Sequence, residues 1–201
     1  MSLPRVAILI SGAGSNMAAL IAAMRDGRVA AEPALVISNE PRAGGLALAR
    51  QMGVPALAED HRAHRDRAGF EAALSAHLAG IDVICLAGFM RVLTAGFTAA
   101  WAGRILNIHP SILPLFPGLH THRRALEAGM AVHGATVHLV TEALDAGPIL
   151  GQAVIPVRAD DTPETLAARL LPMEHRLYPA VLARHLAGDR RPVALFAAEE
   201  P

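Results

Sequence analysis

The sequence predicts an α/β fold, an open and mostly parallel twisted sheet with helices on both faces and an antiparallel addition in the C-terminal half. Three observations carry this. Strand and helix patterns alternate through the first hundred residues. The run Asp82-Val-Ile-Cys-Leu-Ala87 is apolar almost throughout, as expected of a strand buried on both faces of a parallel sheet. Beyond residue 130 the hydrophobic period changes to two, the mark of half-buried, paired strands.

Each element has its own local reason. Residues 5–10 form a compact apolar run, followed by the turn Ser11-Gly-Ala-Gly-Ser-Asn16 and an amphipathic stretch over 17–24. Residues 33–38 read as a second strand, 45–52 as a second helix and 54–57 as a short third strand. Residues 67–78 have helical spacing, with Phe70, Leu74 and Leu78 on one face. Residues 105–108 read as a strand ending at His109-Pro110. Three prolines and a glycine make 110–119 an ordered loop, and 121–128 a short helix follows. Residues 135–140 alternate as a half-buried strand and 149–157 as another, joined by a turn-rich connector over 141–148. The last helix spans 162–186, opened by the capping-box-like Asp161-Thr162-Pro163-Glu164, in which Glu164 closes the box. Pro172 and Pro179 predict that it is interrupted. The tail from Asp189 is short and ends in a frayed Glu-Glu-Pro.

The 201 residues suit a single domain over 1–201, in two halves over about 1–100 and about 101–201. All 18 basic residues are arginine, and alanine occurs 41 times. The absence of lysine excludes a G-x-x-x-x-G-K-[ST] phosphate loop and Schiff-base or pyridoxal chemistry. Zero net charge and 3% aromatic residues argue against nucleic acid as a partner. The single cysteine, Cys85, excludes an internal disulfide and sits in an apolar run, as a buried, inert thiol would. The N-terminal apolar run is too short for a signal segment or membrane span, which predicts a cytoplasmic protein without a membrane partner.

Three places carry chemistry. Gly12-Ala13-Gly14-Ser15-Asn16 follows a strand and opens a helix, where free N–H groups and the helix dipole suit a phosphate. Met17 breaks the G-x-G-x-x-G fingerprint, so a single phosphate fits better than a pyrophosphate. The bland alternative is a helix start capped by Ser15 or Asn16. Asn107 and His109 stand two apart at a strand end and leave on one face, the amide able to donate to an oxyanion and the imidazole to move a proton. Asp145 is turn chemistry unless folding carries it to His109, where a carboxylate would orient the imidazole and favour its charged form. Ten histidines are present, densest at His120/His122 and His133/His138, but no H-E-x-x-H motif or Cys/His set, and no metal is expected.

Several segments together carry a resemblance. They are Ile10-Ser-Gly-Ala-Gly-Ser-Asn16, Leu86-Ala-Gly-Phe-Met-Arg-Val-Leu93, Gly103-Arg-Ile-Leu-Asn-Ile-His-Pro-Ser-Ile-Leu-Pro114, Phe116-Pro-Gly-Leu-His-Thr-His122, His133-Gly-Ala-Thr-Val-His138 and Leu144-Asp-Ala-Gly-Pro148, with a weaker match at Glu174-His175 and Tyr178-Pro179. In these the sequence resembles the glycinamide ribonucleotide formyltransferases, folate-dependent enzymes of purine biosynthesis, over nearly its whole length.

The resemblance implies a Rossmann-like formyltransferase fold and transfer of the formyl group of 10-formyltetrahydrofolate to the amine of glycinamide ribonucleotide. It implies a ribonucleotide site at Gly12, Ala13, Gly14, Ser15, Asn16 and Glu174. It implies a folate cleft at Met90, Arg91, Val92, Leu93, Asn107, Val140 and Asp145, with Arg67 matched to an arginine near the folate's glutamate tail. Asn107, His109 and Asp145 match the catalytic trio. The sequence departs from the family at Ala13, at Leu115 where lysine is frequent, at Leu171 where a polar ribonucleotide contact is common, and at Ala135 and Thr136. The alternative within the fold is a formyltetrahydrofolate hydrolase or another amine formyltransferase. The hydrolase's N-terminal regulatory domain and the tRNA enzyme's C-terminal domain are not expected here. The partners implied are small molecules, and the chain is expected to be a monomer or weak homodimer.

Overall fold

The computed structural model describes residues 2–197. The Glu-Glu-Pro end, expected above to fray, lies outside the described residues. Eight strands form one sheet: β1 (Arg5–Ile10), β2 (Glu32–Ser38), β3 (Ala56–Ala58), β4 (Val83–Leu86), β5 (Ile105–His109), β6 (Val132–Leu139), β7 (Ile149–Pro156) and β8 (Val193–Phe196). Their spatial order is β3-β2-β1-β4-β5-β6-β7-β8. Only β6 runs antiparallel to its neighbours; every other pair is parallel.

Alternation along the strands builds two cores, one on each face of the sheet. Val6, Ile8 and Ile10 of β1 pack with Met17, Leu20 and Ile21 of α1 (Ser15–Arg25), while Ala7 and Leu9 pack on the other face. The first core also takes α2 (Gly44–Gln51) and the long C-terminal helix; the second takes Phe70 and Leu74 of α3 (Arg67–His77) and Phe97 of α4 (Ala95–Ala100). A short helix, α5 (Thr121–Glu127), precedes β6.

The strands and helices of the first half follow the expected order, and the structure corrects five details. Helix α4 and strand β8 were not anticipated; the tail from Asp189 therefore extends the sheet by pairing Val193–Phe196 with β7. Strand β6 is buried along nearly its whole length rather than half-buried. Its Ala135 and Val137 enter the first core, while the loop over 110–119 covers the opposite face, with Leu113 N donating to Thr136 Oγ1 over 3.0 Å. Helix α6 (Pro163–Leu186) runs for 24 residues through Pro172 and Pro179 without a break. Burial of Leu170, Met173, Leu177, Tyr178, Val181 and Leu182 outweighs the backbone bonds the prolines forfeit. Its capping box is closed by Thr165, not Glu164: Thr165 N donates to Thr162 Oγ1 and Thr162 N to Thr165 Oγ1.

Tyr178 of α6 reaches through the core to the sheet. Its hydroxyl lies 3.1 Å from Leu86 O at the end of β4 and 2.9 Å from Leu106 O within β5. Cys85 beside it is fully buried, and burial pushes its thiol up to about 12, so it is an inert core residue.

Candidate active site

Chain direction places the site. From β1 the sheet continues to β2 on one side and to β4 on the other. The segments that leave the carboxyl ends of β1 and β4 therefore diverge and leave a crevice, where open α/β sheets bind ligands. The first segment is Gly12–Asn16 and the second is 87–93.

The turn after β1 exposes backbone donors. Gly14 takes φ +80 as the N-cap residue of α1, and no side chain caps the helix. The capping alternative for Ser15 and Asn16 therefore fails, and the first N–H groups of α1 remain available to a ligand. The turn is pinned from below: Gly45 N donates to Gly12 O over 3.0 Å, and a Cβ on Gly45 would meet Ile10 Cδ1 at 2.5 Å. Asn16 instead turns toward α6, where its amide nitrogen donates to Glu174 Oε2 over 2.7 Å. Its Oδ1 is buried and has no partner among the described residues. Glu174 is almost wholly buried, and burial pushes its carboxyl above the ordinary range, with the Asn16 bond opposing this.

Residues 87–93 form the facing wall. Ser11 N donates to Gly88 O over 3.1 Å, and Met90 N donates to Ser11 Oγ over 2.7 Å. Met90 is 65% exposed and Val92 49%, while Leu93 is buried against the second core together with the partly buried Val140. Apolar side chains left open beside a polar floor suit a ring-bearing ligand. Arg91 stands half-buried in the same segment.

Asn107 and His109 rise from β5 on one face, as their spacing predicts, and the connector after β6 delivers Asp145 to them. His109 Nδ1 lies 3.4 Å from Asp145 Oδ2, and both side chains are less than a tenth exposed. His109 Nε2 lies 3.0 Å from Phe116 O, so both ring nitrogens face acceptors. Asp145 is in the left-handed region at φ +52, a conformation that aspartate tolerates better than most residues. Gly118 N donates to Asp145 Oδ2 over 2.8 Å, and Arg124 Nη1 to Pro117 O over 2.5 Å, so the loop before α5 is tied to the carboxylate and the helix.

His138, noted in the sequence only among its dense histidines, is a further neighbour of Asn107. Its Nδ1 lies 2.9 Å from its neighbour's carbonyl, Leu139 O, which fixes the proton on Nδ1. Its Nε2 is then an acceptor and takes the bond from Asn107 Nδ2 at 3.2 Å. Burial pushes His138 down, which keeps it neutral and holds the Asn107 amide with its second N–H free. Asn107 and His138 are register partners across β5 and β6, a pairing that the sequence alone does not give. Behind His109, His122 and His133 pack edge to face at 5.0 Å between ring centroids. Burial, with His122 nearby, pushes His133 down to about 4, so these rings add no competing charge at neutral pH.

Arg67 opens α3 at the surface, and no hydrogen bond or ion pair links it to the trio. Leu115 is 46% exposed on the loop, and Leu171 is half-buried on α6. Among the described residues no group of three or more His, Cys, Asp or Glu side chains forms a metal-binding set, and no helix is long and apolar enough to cross a membrane.

Comparison with known proteins agrees with this geometry. The formyl transferase family model matches residues 4–182. The chain belongs to the formyl transferase family. Among its formyl transferase relatives, the phosphoribosylglycinamide formyltransferase of Escherichia coli is 42% identical, with 97% of this chain and 99% of that protein covered. The crystal structure of phosphoribosylglycinamide formyltransferase from Brucella melitensis superposes with a TM-score of 0.88 at 53% identity, covering 92% of this chain and 97% of that one. The trifunctional purine biosynthetic protein adenosine-3 of Drosophila melanogaster is 48% identical over 92% of this chain, which spans 14% of that longer relative. The formyl transferase fold expected from the sequence is therefore the observed one.

Proposed function

We propose that the chain transfers the formyl group of 10-formyltetrahydrofolate to the amine of glycinamide ribonucleotide, a step of purine biosynthesis. The observation that carries this reading is the meeting of His109 with Asp145, to which His138 joins Asn107, on the sheet edge that also carries the uncapped N-terminus of α1. The ribonucleotide phosphate binds the free N–H groups of Gly12, Ala13, Gly14, Ser15 and Asn16, and Glu174 takes a polar group of the same substrate. The folate lies along Met90, Arg91, Val92 and Leu93 and against Val140, with Arg67 toward its glutamate tail.

The amine nitrogen attacks the formyl carbon and the carbonyl oxygen becomes an oxyanion. Asn107 and protonated His109 donate to that oxyanion; one strong donor of this kind is worth about 3–4 kcal/mol. Holding both substrates in one crevice contributes a further ~7–11 kcal/mol when the attack geometry is good. The proton leaving the amine passes, with Asp145 and one water as carriers, to the folate nitrogen. The bond between that nitrogen and the formyl carbon then breaks. Phe116 O holds His109 Nε2 in the free protein and yields that donor to the oxyanion.

The test is an absorbance assay of formyl-folate consumption with and without glycinamide ribonucleotide. Consumption only with the ribonucleotide is expected. Consumption without it assigns a hydrolase instead, and none in either case removes the catalytic reading. The reading needs only small-molecule substrates and a cytoplasmic setting, with the chain a single domain acting as a monomer or weak homodimer.

A further inference from the structure

Three strands end around one hydroxyl. Ser11, at the exit of β1, donates from its Oγ to Asn39 Oδ1 over 2.5 Å at the exit of β2. The same Oγ accepts from Met90 N over 2.7 Å, beyond the end of β4. The Ser11 N–H donates to Gly88 O over 3.1 Å. Asn39 is buried, with its Nδ2 3.2 Å from His61 Nδ1. The Ser11 hydroxyl therefore has one donor direction, fixed by Asn39, and one acceptor direction, filled by Met90.

The two sides of this junction are unequally held. The loop before Ser15 has its own anchors, Gly45 N to Gly12 O and Ala18 N to Gly14 O. Residues 88–93 belong to no strand or helix, and their backbone hangs on Ser11 at both Gly88 and Met90. Ser11 thus stands on fixed ground and holds the looser wall.

We infer that Ser11 is a positioning residue that sets the folate-side wall against the ribonucleotide loop. This rests on the function proposed above. Removing the hydroxyl leaves Met90 N and Asn39 Oδ1 without their partner and loosens the wall at Met90, between the Gly88 bond and the buried Leu93, while the ribonucleotide loop keeps its anchors.

The experiment is steady-state kinetics on wild type, Ser11→Ala, Ser11→Thr and Asn39→Ala, varying each substrate in turn. In Ser11→Ala the KM for formyl-folate is expected to rise about tenfold, with the ribonucleotide KM unchanged within about a factor of two. Ser11→Thr, which keeps the hydroxyl, restores the folate KM to near wild type. Asn39→Ala gives the same split at smaller size and stands in if Ser11→Ala does not fold. An unchanged folate KM, an equal rise in both KM values, or a Ser11→Thr variant as impaired as Ser11→Ala overturns the inference. Failure of the wild type to consume formyl-folate in the presence of ribonucleotide overturns the underlying function instead.

Discussion

The Asn16 side chain donates to Glu174 Oε2 over 2.7 Å, joining the first helix to the last across 158 positions of sequence. Burial raises Glu174 above the ordinary carboxyl value, so the folded protein holds a proton that the unfolded chain releases. Stability therefore falls as pH rises from that ordinary value through the raised one. Glu174→Gln keeps an acceptor for Asn16 and removes the titration. Thermal melts between about pH 4 and 8 should show this variant a few degrees more stable than wild type at neutral pH, with the gap closing toward the acid end. Its ribonucleotide KM should rise about tenfold or more. A lower melting temperature at neutral pH contradicts the account.

His109→Asn and Asp145→Asn should each lose at least about a hundredfold in turnover, because one removes the proton-carrying donor and the other its carboxylate partner. Both replacements are close in shape, and asparagine tolerates the left-handed backbone at 145. Circular dichroism should report an intact fold. Near wild-type turnover in either purified variant refutes the assigned roles.

With no lysine in the chain, the proposed phosphate site offers backbone N–H groups and a helix terminus rather than a dense cationic shell. Such donors are short-range and already in contact, so salt screens them little. The ribonucleotide KM should move by less than about threefold between ~0.05 and ~0.3 M salt. A steep, many-fold loss of affinity over that range would reveal a charged shell instead.

Gly147 sits where the connector passes under β6. A Cβ built there falls 1.8 Å from Leu139 O, and that backbone cannot step aside without moving Asp145 two residues earlier. Gly147→Ala should cost about 3 kcal/mol or more in urea unfolding and lower turnover in the fraction that folds. A loss below about 1 kcal/mol shows that the connector has room to shift.

Much of the fold was legible because its signals are local. The buried strands β1 and β4 are unbroken apolar runs, and the period-two stretches mark β6 and β7. Helix α4 was not legible: in Ala95–Ala100 small residues dominate and only Phe97 and Thr98 are buried, so no periodicity develops. The two prolines of α6 were read by their local cost, whereas the length of the buried face decided the outcome. Burial of β6 depends on a loop that folds back over it, which a pattern of alternating residues does not encode. In the site, Asn107 and His109 were legible from their two-residue spacing. The approach of Asp145 is tertiary, set by the connector after β6 and by a left-handed residue. The Asn107–His138 contact needed the β5–β6 register, and the Ser11 junction needed the ends of three strands.

Glu174 and Tyr178 are four positions apart on α6 and so share one face of it. One contacts Asn16 beside the proposed ribonucleotide loop; the other's hydroxyl sits at the carbonyls of Leu86, the last residue of β4, and Leu106, within β5. A slide or rotation of this helix would move the substrate-side carboxylate and the base of the crevice together. On the function proposed above, changing which ribonucleotide is accepted is a matter of exchanging side chains on a stationary helix, because re-aiming the helix itself would disturb the proposed folate opening.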